Sequence, residues 1–250
     1  MTVEESPYVT VVVPCFNEEV TLEATLDELV GVLDEAPFSW EVIVVDDGSR
    51  DRSAEITADY QRREPRVHLI KHRVNMGSGQ GIWTGVQHAR GEFVIYVPAD
   101  GQFDHGEIPM FVKQAESGAD IVISHRLSRD DYTMYRQISS LVFLTLCNTL
   151  FDHQFQDVNW VHLWRTSIFD DIEPKSRGVF FLEEILVRAR DRGKVVVEVP
   201  SLYRPRQGGQ AKGGRPDVIV KTVWEMLKLW NERRTRLDTT RGAGGKAPPR

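Results

Sequence analysis

A chain of 250 residues with 41% hydrophobic and 27% charged side chains can bury a sizeable core, as one large α/β domain or two small ones. Its net charge of -6 argues against nucleic acid as a bulk partner. Cys15 and Cys147 give no disulfide framework and fit a reducing cytoplasm. The polar N-terminus and the lack of an apolar run near ~20 residues predict neither a signal peptide nor a membrane span.

Val9 to Val13 is a β-branched run ending at Pro14 and reads as a buried strand. Asn17, Glu18 and Glu19 follow, and Leu22, Leu26, Leu29, Val30 and Leu33 then recur with a helical period. "WEVIVVDDGS" predicts a second buried strand that delivers Asp46 and Asp47 to a turn, with "SAEITADYQRR" as the next helix. Val67 to Ile70 is a short third strand, followed by the glycine-rich loop "NMGSGQG" and a helix from Ile82 to Ala89. Phe93 to Val97 forms a fourth strand that runs into "PADGQFD". "GEIPMFVKQAESG" is helical after its proline, and "ADIVISHR" is a fifth strand. Strands alternating with helices predict a mostly parallel, doubly wound sheet with flanking helices. In the second half, Arg136 to Leu150 and Leu182 to Arg190 read as helices and "KVVVEVP" as a strand. A basic, glycine-rich loop, "YRPRQGGQAKGGR", precedes an amphipathic helix from Val218 to Trp230. Residues 1–236 read as one domain, and 237–250, "LDTTRGAGGKAPPR", as a disordered tail.

Ligands of open α/β sheets bind outside the carboxyl ends of the strands. The predicted strands bring Glu18, Asp46, Asp47 and Asp100 to that edge. Anions gathered in one crevice need a hydrogen-bond donor or a cation to offset them, and a ribose with a divalent metal would meet the need. Taken alone, Asp47 to Ser49 is better explained as a turn and Glu18 as a helix-start acid. Their shared position favours a ligand.

"VVVPCFNEE", "VIVVDDGSRDRS", "NMGSGQGIWTGVQHARGEFVIYVPADGQFD" and "ADIVISHR" together resemble the inverting glycosyltransferases of family 2, which have the GT-A fold. The likeness is closest to the polyprenol-phosphate glycosyltransferase branch, which includes dolichol-phosphate mannosyltransferase, and runs from about Val9 to Lys212. It implies a GT-A-like single domain. It also implies that Pro14, Asn17, Glu18, Asp46, Asp47 and Gly77 surround the nucleotide of a sugar donor. Asp100 and Gln102 would face Mg²⁺ or Mn²⁺. Pro98 stands where the family has a further aspartate. Magnesium is usually held by one or two carboxylates plus substrate phosphates and water. Two protein groups are therefore expected to suffice, with weaker affinity and a dependence on nucleotide.

On the acceptor side the resemblance implies that Arg126, Arg136 and Ser140 bind a lipid phosphate. Arg206, Gly209 and Lys212 would form the loop over the diphosphate, with Ala211 in place of a serine. A phosphate monoester attacks as an anion and needs no protein base, so catalysis would rest on positioning and on charge around the leaving group. A hydroxyl acceptor, such as a sugar or a natural-product intermediate, would need one, and Asp157, Glu183 and Glu184 are the candidates. A nucleotide-binding homologue without activity is the third alternative. His125 and His162 read as proton carriers or as structural residues. "LVFLTLCNTLF" and "VIVKTVWEMLKLW" suit either a peripheral membrane contact from a cytoplasmic protein or packing on the core or a second copy.

Overall fold

Alternation along the central strands divides the apolar interior in two. In β1 (Val9–Cys15), Val9, Val11 and Val13 pack on one side of the sheet and Val12 on the other. In β2 (Trp40–Asp46), Val42 and Val44 face the first core and Ile43 and Val45 the second. Strands covered on both faces need apolar residues at successive positions, which is why these runs read as continuous. The structure, a computed structural model, describes residues 6–128, 132–205 and 216–243.

The sheet has seven strands in the order β3-β2-β1-β4-β6-β5-β7. Besides β1 and β2 these are β3 (Val67–Lys71), β4 (Phe93–Tyr96), β5 (Ile121–Arg126), β6 (His162–Arg165) and β7 (Val196–Ser201). Only β6 runs antiparallel to its neighbours, β4 and β5. The first core is covered by α1 (Leu22–Glu35), α2 (Ser53–Arg63) and α4 (Ile108–Glu116). The second lies under α3 (Ser78–His88), α5 (Met134–Phe151), α6 (Phe181–Arg190) and α7 (Pro216–Ala243). The expected mostly parallel, doubly wound sheet is therefore present.

Three elements differ from their sequence pattern. β6 is four residues long and begins with a histidine, so neither length nor alternation announces it. α3 begins inside the glycine-rich stretch because close backbone packing demands glycine there. A Cβ on Gly79 would lie 2.6 Å from the Gly178 carbonyl oxygen, and one on Gly85 2.3 Å from Val12 Cγ1. α7 runs on to Ala243, so the segment 237–243 of the expected tail is helical.

The second core also encloses ionisable groups. Burial pushes the His162 imidazole down to about 3, which makes it a neutral core residue. Glu183 Oε1 lies 2.9 Å from His153 Nε2, both side chains being almost fully buried. Burial pushes the Glu183 carboxyl up to about 8 and the His153 imidazole down to about 4, so both are largely neutral at pH 7. A carboxyl whose folded pKa is raised gives stability that is present below about 4.5 and is lost as pH rises towards about 8, since the unfolded chain ionises first. His153 has the opposite sign: its stability is lost as pH falls from 6.5 towards about 4. Glu183→Gln, a neutral mimic of the protonated acid, should match the wild type near pH 5 and melt at a higher temperature near pH 8. Thermal denaturation across that range measures it.

Candidate active site

The parallel strands end on one edge, where short polar side chains tie their loops together. Asn17 follows β1 with φ 54°, a left-handed conformation that asparagine tolerates better than most residues. Its amide donates to Ser49 Oγ at 2.9 Å, and its Oδ1 accepts from the Arg50 amide at 2.8 Å. The Glu18 amide donates to Ser53 Oγ at 2.9 Å. Asp46 ends β2, buried, and accepts from the Ser49 amide at 3.3 Å. Asp47, also buried, accepts from the amides of Met76 and Gly77 at 2.9 and 2.8 Å and lies 2.7 Å from His72 Nδ1. Its carboxylate thus holds the glycine-rich segment against the end of β2. Pro14 lies against Gly81 on the other side of that segment.

Beyond β4, the segment carrying Asp100 is pinned from α1. Thr21 and Thr25 both donate to the Ala99 carbonyl, at 3.1 and 3.4 Å. Asp100 Oδ1 accepts from the Gln102 amide at 3.2 Å, closing the turn around Gly101 at φ 70°. Gln102 Nε2 donates to the Tyr203 hydroxyl at 2.5 Å and reaches the Arg204 carbonyl at 3.5 Å. Arg204 returns the bond, its amide donating to the Gln102 carbonyl at 2.9 Å. Its guanidinium pairs with Glu28 on α1 at 2.8 Å and with Asp104 at 3.0 Å.

Asp100 and Gln102 open onto a cleft of about 590 Å³. Arg126, Arg136, Ser140 and Asp157 line the same cleft, so the structure brings the predicted metal-facing and acceptor groups together. Arg126, at the end of β5, is 7% exposed. Its Nε donates to Asp157 Oδ2 at 2.7 Å and its Nη1 to the Tyr132 hydroxyl at 2.5 Å. Burial works against its charge, but Asp157 more than offsets this and holds the guanidinium above its ordinary range. Arg126 also lies 4.9 Å from the centre of the Trp160 ring, and Arg136 3.7 Å from that of Tyr132. Ile138, Val142 and Leu146 of α5 and Ile219, Val223 and Met226 of α7 give the cleft much of its apolar lining.

Glu184 does not reach this cleft. It accepts from the amides of Lys175 and Ser176 at 3.0 and 2.6 Å and from Arg188 Nε at 2.7 Å, so the helical turn directs it to a separate network. Glu183 is buried beside His153, and His125 faces Glu198. Arg206 and Lys212 lie outside the described residues. Tyr132, Trp160 and Tyr203, which surround the arginine and the glutamine, carry no motif that would single them out from sequence.

The donor set suits a hard cation. Asp100 offers carboxylate oxygen, and Gln102, its nitrogen engaged by Tyr203, can offer its amide oxygen. Among the described residues no group of three or more His, Cys, Asp and Glu converges, so any cation here would draw its remaining oxygens from elsewhere.

Residues 10–169 match the family described as Glycosyl transferase family 2. A dolichyl-phosphate beta-glucosyltransferase of Trichomonas vaginalis is 36% identical over 246 residues, covering 90% of this chain and 73% of its own length. An undecaprenyl-phosphate 4-deoxy-4-formamido-L-arabinose transferase of Edwardsiella ictaluri is 30% identical over 214 residues, covering 85% of this chain; the chain spans 65% of that relative's length. Among solved structures, glucosyl-3-phosphoglycerate synthase from Mycobacterium tuberculosis in complex with UDP superposes with a TM-score of 0.71 at 17% identity, over 90% of this chain and 80% of its own. The same enzyme in complex with Mn²⁺, UDP-glucose and phosphoglyceric acid gives 0.69 at 16% identity, with the same coverage. The architecture and the family match define a glycosyltransferase of GT-A-like fold. The chain belongs to glycosyl transferase family 2.

Because Asp47 binds two loop amides, Asp47→Ala should cost about 3 kcal/mol of stability, from lost hydrogen bonds to a buried charge. Denaturant unfolding would show this as a lower midpoint.

Proposed function

We propose that the protein transfers a sugar from a nucleoside-diphosphate sugar to the phosphate of a polyprenyl phosphate, with inversion at the anomeric carbon. The make-up of the cleft carries this reading. Arg126, Arg136 and Ser140 line one cleft together with Asp100 and Gln102, and apolar residues of α5 and α7 line it as well. Arginine forks suit phosphate oxygens, and an apolar groove suits the isoprenoid chain attached to them. The two relatives named above for dolichyl and undecaprenyl phosphates support the same acceptor class.

The attacking group in this reading is the acceptor's phosphate oxygen, already anionic near neutral pH. It displaces the nucleoside diphosphate from the face opposite the leaving group, and the new bond is a glycosyl phosphate. Arg126 and Arg136 orient the attacking phosphate. Asp157 acts by fixing Arg126: its Oδ2 is taken by Arg126 Nε at 2.7 Å and its Oδ1 by the Asn159 amide at 3.1 Å. Asp100 and Gln102 would hold Mg²⁺ or Mn²⁺, which when bound supplies positive charge to the leaving diphosphate. Asn17, Glu18 and Asp46 shape the nucleotide end, and Arg206 and Lys212 are assigned to the diphosphate.

No described helix is long and apolar enough to cross a membrane. Met134, Leu141, Val220 and Trp224 are exposed on α5 and α7. In this reading these helices rest on the surface of the membrane that carries the acceptor.

Calorimetric titration of UDP and GDP, each with Mn²⁺ and with chelator, tests the donor half. One nucleotide should bind, more weakly in chelator, and Asp100→Ala should remove the difference; binding of neither would overturn the reading. Asp157→Asn tests the acceptor half with undecaprenyl phosphate as substrate. A positioning role predicts an acceptor KM raised about tenfold with most of kcat retained, whereas loss of a general base would lower kcat by about 10²–10⁴. A kcat loss of that size would overturn the positioning role of Asp157, and a wild type that leaves undecaprenyl phosphate unglycosylated would favour a hydroxyl acceptor.

A further inference from the structure

Gln102 sits at one of the two positions assigned to the cation, yet its amide could present either nitrogen or oxygen there, and only oxygen serves a hard metal. The structure holds the nitrogen elsewhere. Nε2 donates to the Tyr203 hydroxyl at 2.5 Å and faces the Arg204 carbonyl at 3.5 Å, an atom that can only accept. Because the amide is planar, Oε1 is turned the other way. The backbone fixes the partner as well. Phe103 and Tyr203 form an antiparallel bridge, and the Arg204 amide donates to the Gln102 carbonyl at 2.9 Å. The Tyr203 ring packs edge-on against Trp160 at 5.6 Å and Tyr132 at 6.1 Å, the two aromatics that carry Arg126. Gln102 is buried, which leaves little freedom for its amide to rotate.

We propose that Tyr203 is a positioning residue for the metal: its hydroxyl orients the Gln102 amide so that Oε1 faces the cation, while its ring braces the aromatic shell around Arg126. This rests on the donor reading above and adds a residue outside the motifs that suggested it. The loss of Asp at position 98 makes the role more important, because Gln102 supplies half of the protein's grip. Outer-sphere groups of this kind hold a ligand in the right orientation, and their removal typically lowers metal affinity about 10- to 100-fold.

The test titrates Mn²⁺ into protein saturated with UDP, or with GDP if that is the nucleotide bound, and follows free Mn²⁺ by electron paramagnetic resonance. Tyr203→Phe removes the hydroxyl and keeps the ring. It should weaken Mn²⁺ about tenfold, near the lower end of that range. Nucleotide affinity in chelator should stay at the wild-type value, whereas the melting temperature should fall slightly, because the buried Gln102 amide loses an acceptor. The double variant with Gln102→Ala should be no weaker than Gln102→Ala alone, since the hydroxyl acts through that amide. Wild-type Mn²⁺ affinity in Tyr203→Phe would overturn the inference while leaving the donor reading in place. So would additive losses in the double variant, whereas Gln102→Ala with no loss would overturn both the inference and the assignment of Gln102 to the metal. A wild type that binds no Mn²⁺ with either nucleotide would overturn both.

Discussion

A guanidinium kept nearly out of water anchors the part of the cleft proposed to take the acceptor. A charge buried as Arg126 is must be matched by an opposite charge and by hydrogen-bond acceptors, or the folded state loses several kcal/mol. Asp157 provides the charge, Tyr132 an acceptor and Trp160 the π-face. β6 contributes to the setting by entering the sheet antiparallel between β4 and β5, directly after the Asp157–Trp160 segment. The guanidinium is thus fixed from several sides, which in the proposed reaction would present a phosphate to a carbon centre in a single orientation.

The donor side answers the opposite problem, an excess of carboxylates. Asp46 and Asp47 are satisfied by backbone amides, and Asn17 bridges the loops after β1 and β2. The two halves meet at the Gln102–Tyr203 contact. The strand edge thus carries Asp46, Asp47 and Asp100 from the first half of the chain and Arg126 from the middle of it, and Asp100 and Arg126 line one cleft.

Much of this was legible in the residues. The β-branched runs with acids at their ends define the strand edge, and the ordered motifs place Asp100, Gln102, Arg126, Arg136 and Ser140 in one cleft, as observed. Local patterns fail where tertiary contact decides. β6 is too short to show a period. Glu184 lies on α6, which gives no residue to the lining of the cleft, and its carboxylate meets Arg188 and the Ser176 amide instead. Tyr132, Trp160 and Tyr203 matter only because the sheet brings distant segments together, which no spacing in the chain reveals.

One face of α1 deserves separate consideration for anyone redesigning the protein. Thr21, Thr25 and Glu28 recur at helical spacing. The two hydroxyls hold the Ala99 carbonyl and the carboxylate holds Arg204, so the helix splints both segments that flank the candidate cation site. Thr25 is 3% exposed and surrounded by core, so a stability-driven search would favour valine there, which has nearly the same shape and no hydroxyl to bury. Such a change would leave Thr21 to hold the Ala99 carbonyl without its neighbour, so the loop that carries Asp100 would be tied to α1 by one hydroxyl instead of two. Packing and the hold on the Asp100 turn thus make different demands on this one position, and they differ by a single oxygen atom.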